Sequence, residues 1–204
     1  MKTKRNELLV NIIFCSIMAA LAIVLDKFLS FPKGNYFLKF TLYGLPLMFV
    51  GIMLGKLYGF LSGLVSGIIL QLTSEYGISL MSIFWALAPI AWGFFSGLFS
   101  DIFKKELNIG KIVLIVGICS ISAFLLNTFA MILDSLLYDD SYYTSSVILT
   151  QVPSRLASMA ILWVGYSIIL FPLYNTLKHT MIKRQEKDSN VNDIESEIVK
   201  KYHK

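Results

Sequence analysis

The stretch Ile112–Leu137, IVLIVGICSISAFLLNTFAMILDSLL, runs for 26 residues with one charge, Asp134, close to its end. A hydrocarbon layer about 30 Å thick is crossed by roughly 17–25 apolar residues of helix, so this run is long enough to span it. Five further runs read the same way: Leu8–Leu25, Leu38–Gly55, Leu57–Thr73, Ile78–Ser100 and Val147–Leu177. Lipid offers an unpaired backbone no partner, which makes such runs helical. The expectation is an all-α integral membrane protein with six transmembrane helices over residues 1–178 and a charged tail at 179–204. Composition agrees, with 56% hydrophobic and 15% charged residues among 204, where a soluble domain carries about a quarter charged.

Basic residues set the expected orientation. With both termini cytoplasmic, fourteen of the 18 fall inside: Lys2, Lys4, Arg5, Lys56, Lys104, Lys105, Lys111 and seven from Lys178 onward. Lys27, Lys33, Lys39 and Arg155 are left for the outer side. The location expected is the cell membrane, multi-pass. The net charge of +5 suits an anionic inner leaflet and does not call for nucleic acid. The first run has a basic leader and the triplet Ala20-Leu21-Ala22. Because Ile23-Val24-Leu25 prolongs the apolar sequence, an uncleaved helix is expected rather than a signal peptide.

Several chemistries lack their groups. There is no phosphate-binding Gly-x-x-x-x-Gly-Lys sequence. His179 and His203 both fall in the tail, so a nucleophile within the membrane has no histidine base and a metal has no histidine ligand there. Cys15 and Cys119 read as small packing residues. No catalytic residue, metal or cofactor is expected in this chain. A small intramembrane enzyme and a ligand-free assembly subunit stand as rival readings.

The polar residues inside the apolar runs gather toward one side. Asp134 and Arg155 each lie 23 residues from a basic residue, Lys111 and Lys178, about 35 Å at helical rise, which predicts a common height near the outer rim. Ionisable groups at that depth are costly and point to a binding site or pathway. Asn127 and Asp134 are seven apart and share a helix face, and Gln151 and Arg155 are four apart and do the same. With Gln71, Tyr76, Trp85 and Trp92, and with Tyr142 and Tyr143 in the loop above, they describe an aromatic-walled pocket suited to a flat polar heterocycle with an acidic tail. Alternatives stay open. Asp134 and Arg155 can pair with each other, Trp85 can serve as an interfacial belt residue, and Asn127 can bond a neighbouring helix. If Pro153 opened the sixth helix, Gln151 would belong to a loop.

Glycine recurs every fourth residue at Gly51, Gly55, Gly59, Gly63 and Gly67, across a turn at Lys56. Small residues at this spacing let helices approach closely in lipid, so runs two and three are read as a tight hairpin. Gly44 and Pro46 predict a kink or an irregular start to run two.

Over residues 8–178 the sequence resembles the substrate-binding S components of energy-coupling factor (ECF) vitamin transporters, most closely the folate-type branch. The resemblance rests on Ala19-Ala20-Leu21-Ala22-Ile23-Val24-Leu25, on Tyr43-Gly44-Leu45-Pro46 with Gly51 and Gly55, on Tyr76-Gly77, on Leu126-Asn127-Thr128 and on Val152-Pro153-Ser154-Arg155. It implies a non-enzymatic subunit of an ABC importer that captures folate or a related pterin from outside. It further implies docking on a membrane coupling subunit with two cytoplasmic ATPases, which hydrolyse the ATP. Riboflavin, pantothenate and a pyridoxine-like compound are the alternative ligands. The family's small-residue face on the first helix corresponds here to Cys15, Ser16, Ala19 and Ala20. Arg155 or Lys39 would hold a ligand carboxylate, while Asn127, Asp134 and Gln71 would read the ring and Trp85 or Trp92 would stack on it.

Overall fold

The computed structural model describes residues 2–29, 41–74, 78–138 and 144–202, with side chains over 6–178 of those segments. Tyr76, Lys39, Tyr142 and Tyr143 lie outside the described residues. Among the described residues every regular element is a helix: α1 (Lys2–Leu29), α2 (Gly44–Leu54), α3 (Lys56–Leu72), α4 (Ser82–Trp85), α5 (Leu87–Ile102), α6 (Ile109–Leu137) and α7 (Ser145–Tyr202). Four helical stretches are long and apolar enough to cross a bilayer, namely Asn6–Leu29, Ser82–Ile102, Ile109–Leu137 and Ser145–Lys178, and two shorter apolar helices stand with them.

Of the second run, expected over Leu38–Gly55, residues 38–40 lie outside the described residues and the helix covers Gly44–Leu54. Pro46 falls in the first turn, where its missing N–H leaves no helix bond unmade, so the irregular start is the outcome. α2 ends at Gly55, whose φ of +99° belongs to a region that costs glycine little. The Asp101 carboxylate accepts the Lys56 N–H at 3.2 Å, which helps fix the start of α3. Run four is also divided. Pro89 cannot donate to the Trp85 carbonyl, and the chain breaks at Ala86 between α4 and α5.

The glycine ladder meets α5 in addition to closing the α2–α3 hairpin. A side chain at Gly59 would collide with the backbone carbonyl of Gly93, and one at Gly93 with that of Gly59. A Cβ at Gly63 would stand 2.7 Å from the Pro89 carbonyl oxygen, and one at Gly67 would stand 2.9 Å from that of Ala86. α3 and α5 therefore touch backbone to backbone. Ser100 adds a hydroxyl bond to the Ile52 carbonyl at 2.8 Å.

α6 and α7 run antiparallel, and α7 is pinned at two heights, to α6 and to the loop before it. The Trp163 indole N–H donates to the Val113 carbonyl at 2.7 Å, and its ring lies against Gly117, where a Cβ would sit only 2.6 Å from it. Lower down, the Tyr174 hydroxyl donates to the Lys105 carbonyl. That end of the bundle also carries Lys56, Lys104, Lys111 and Lys178, and Lys105 Nζ reaches the Met53 carbonyl at 3.1 Å.

Gly59→Val should lower the thermal midpoint of the detergent-purified protein, at a cost of about 3 kcal/mol for overpacking against backbone. Gly165→Ala, where nothing lies within 4 Å, should leave it unchanged or raise it through the roughly 1 kcal/mol gain in helix propensity. Equal effects of the two, read by a thermal unfolding scan, would contradict the α3–α5 contact.

Candidate ligand-binding site

The two pins on α7, one to α6 and one to the loop before it, set which residues share a height. Counting 1.5 Å per residue from Trp163 and Tyr174 brings Gln151 about level with Asn127 and Arg155 about level with Ala123. Asp134 then stands roughly 16 Å further outward than Arg155. The common height predicted from Lys111 and Lys178 is thus corrected. α7 continues unbroken through Lys178 to Tyr202, so Lys178 lies deeper than Lys111, and the two lysines do not mark one plane. The Asp134 and Arg155 side chains are half-buried, and each is engaged in an interaction.

Gln151 lies inside α7, which begins at Ser145, so the reading with Pro153 at the helix start is set aside. Pro153 is exposed two turns into the helix, on the side away from the core. Gln151, Arg155 and Ser158 follow one stripe of α7 at spacings of four and three, and all three are buried or half-buried. Gln151 is only 1% exposed, yet neither its amide oxygen nor its amide nitrogen has a hydrogen-bond partner. An unmade hydrogen bond at a buried polar group costs about 1–3 kcal/mol, and an amide has several to make.

On α6, Ala123, Asn127, Ala130 and Asp134 form the inward stripe. Ser120, seven residues before Asn127, continues it. Its hydroxyl is buried and without a partner. Sequence reading passed over Ser120, although extending the seven-residue spacing of Asn127 and Asp134 inward would have reached it. The Phe84 and Phe129 rings meet edge to face at 6.2 Å, which brings Trp85, the next residue of α4, to about the height of Asn127. Gln71, half-buried on the last turn of α3, lies about one turn outward of the Gly67–Ala86 contact. Lys27 Nζ donates to the neighbouring Thr73 carbonyl and ties the outer ends of α1 and α3 together.

Counted along their helices, Trp85, Asn127 and Gln151 fall at about one level on α4, α6 and α7, with Gln71 about a turn outward on α3. Trp92 is not among them. It is 5% exposed in the hydrophobic core and edge-on to Tyr166 at 5.4 Å. Tyr166 in turn donates to the Thr41 carbonyl at 2.6 Å. Trp92 forms the floor beneath that level, about two turns inward of Trp85.

The small residues of α1 divide between two faces. Ala19 is buried and Cys15 half-buried against the bundle, while Ser16 and Ala20 are exposed. The Ser16 hydroxyl bonds back to the Ile12 carbonyl at 2.9 Å, which leaves the outward face at Ser16 and Ala20 small and without an outward-reaching polar group. Exposed Ile13, Ile17 and Val24 flank it.

The fold is found in solved structures of low identity. ThiT from Listeria monocytogenes is 22% identical, matches with a TM-score of 0.60, and pairs 80% of this chain with 94% of that one. FolT bound with folic acid is 20% identical at a TM-score of 0.55, over 80% of this chain and 92% of that one. The S component of a bacterial ECF transporter is 19% identical at 0.55, over 82% and 97%. No curated protein matches the chain. The family model for the ECF-type riboflavin transporter, S component, matches residues 8–179. The chain belongs to that family of multi-pass membrane transport components.

Proposed function

We propose that this chain captures a flat heterocyclic vitamin from the outer side and delivers it through a membrane coupling subunit powered by two cytoplasmic ATPases. The observation that carries the ligand class is the Gln151 amide, buried to 1% exposure with both polar atoms unpartnered. A primary amide and a ring edge holding an N–H beside a C=O pair through two parallel hydrogen bonds. Isoalloxazines and pterins both offer such an edge. A ligand that makes both bonds recovers what the empty site leaves unmade, and Asn127 at the same level and Trp85 beside it supply a further amide and a stacking face.

Riboflavin is the reading the geometry favours. Its tail is a neutral polyol, and a tail leading outward from Gln151 passes Asp134, a hydroxyl acceptor that repels acids. The matching family model has the same ligand in its description. Folate, the expectation from sequence, is the second reading. Arg155 supports it, since a guanidinium pairs strongly with a carboxylate when partly desolvated. Against it, Gln151 and Arg155 are only one helical turn apart, while the pterin and glutamate of folate lie at opposite ends of a long molecule.

Gln151→Met should raise the thermal stability of the ligand-free protein or leave it unchanged, because it removes an unsatisfied amide. The same change should weaken riboflavin binding at least tenfold, measured by quenching of flavin fluorescence. A loss of stability with binding retained would contradict the role given to Gln151. Titration with folate separates the readings. Under the riboflavin reading folate binds weakly and Arg155→Ala does not change that, whereas tight folate binding abolished by Arg155→Ala would establish the second. For the partner face, Ala20→Leu should prevent co-purification with the coupling subunit while vitamin binding persists. Unaltered assembly would move the contact away from Ser16 and Ala20.

A further inference from the structure

Outside the vitamin site, α6 and α7 leave an apolar groove of about 620 Å³ on their outer surface, lined by Ile109, Val113, Trp163, Val164, Ser167 and Phe171, with Ile168 at its edge. It runs on into a second hollow beside Ala160 and Gly165 through the shared residue Val164. The few polar groups along it are already engaged. The Ser167 hydroxyl bonds to the Trp163 carbonyl at 2.7 Å, and the Trp163 indole bonds to Val113. What the groove complements is hydrocarbon.

Its length and its end decide between occupants. From Ala160 to Phe171 the groove follows α7 for about 16 Å, close to half of a hydrocarbon layer of about 30 Å, the depth of one leaflet. Continuing the stripe Ala160, Val164, Ser167 and Phe171 by seven residues reaches Lys178, at the lysine-rich end of the bundle. Lys178 is exposed, and its ammonium lies over the Tyr174 ring at 5.8 Å. Among the described residues the acidic groups at this end are Asp101, which caps α3 through Lys56, and the exposed Glu7 and Glu106. In sequence, Lys183, Arg184 and Lys187 follow, interleaved with Glu186 and Asp188.

We propose that this groove binds one acyl chain of an anionic phospholipid, with the headgroup phosphate on Lys178. A basic group at the membrane surface favours an anionic lipid by about fivefold, and the groove fixes where that lipid sits. The surface is separate from Gln151 and from Ser16 and Ala20, so the inference does not depend on which vitamin is carried.

Native mass spectrometry of the full chain in detergent, with phosphatidylglycerol or phosphatidylcholine of matched acyl chains, tests it. One phosphatidylglycerol should be retained about fivefold better than phosphatidylcholine. Lys178→Glu should abolish that preference while leaving the circular dichroism spectrum and thermal midpoint unchanged. Val164→Trp, which fills the groove, should reduce retention of both lipids. Equal retention of the two lipids by the unaltered protein would overturn the proposal. So would a preference that survives Lys178→Glu, or a dimer that excludes lipid from this face.

Discussion

The contact on which the rest of the structure depends is the backbone approach of α3 to α5 at Gly59 and Gly93. In lipid, helices gain little by hiding apolar side chains, so association rests on close packing and backbone proximity. Here a Cβ at either glycine would collide with the opposing carbonyl, and the same closeness repeats at Gly63 and Gly67. This fixes α5 along α3, and α5 in turn sets Trp92 as the floor of the outer half of the bundle. Pro89 then frees the turn above it, so that α4 can lean on α6 through Phe84 and Phe129. The site is thus held by a scaffold whose stiffest part contains almost no side chains.

Against that scaffold, the polar interior divides into groups that are satisfied and groups that are not. The Tyr166 hydroxyl is satisfied by the Thr41 carbonyl. Ser62, Ser66, Ser96 and Ser158 bond back to their own helices. Gln151 does neither. A buried amide without partners is hard to account for as packing, because an apolar side chain of the same shape would be cheaper there. It is readily accounted for as half of a pair whose other half is the cargo.

Much of this was legible in the sequence. Composition and run length were enough for the helices, and the four-residue glycine spacing announced a close approach. The face shared by Asn127 and Asp134, and that shared by Gln151 and Arg155, followed from helical periodicity alone. The partner of the glycine face was not legible, since spacing states that a helix has a small face but not which helix meets it. Nor was the relative height of α6 and α7. Counting from lysines assumes that each marks the membrane surface, and α7 passes Lys178 without a break. Lateral contacts such as those of Trp163 and Tyr174, between residues 50 and 69 positions apart, set that register, and they move Arg155 inward relative to Asp134. Ser120 escaped notice because a lone serine in an apolar helix ordinarily bonds to its own backbone.

What the Gln151 amide faces when the site is full decides which ligand class it serves. The most direct measurement is an experimental structure of the chain with bound riboflavin. The expected result is a ring whose N–H and adjacent carbonyl lie within hydrogen-bond distance of Gln151 Oε1 and Nε2, at the level of Asn127 and beside Trp85. A ligand held elsewhere, with the Gln151 amide bonded only to protein, would contradict it.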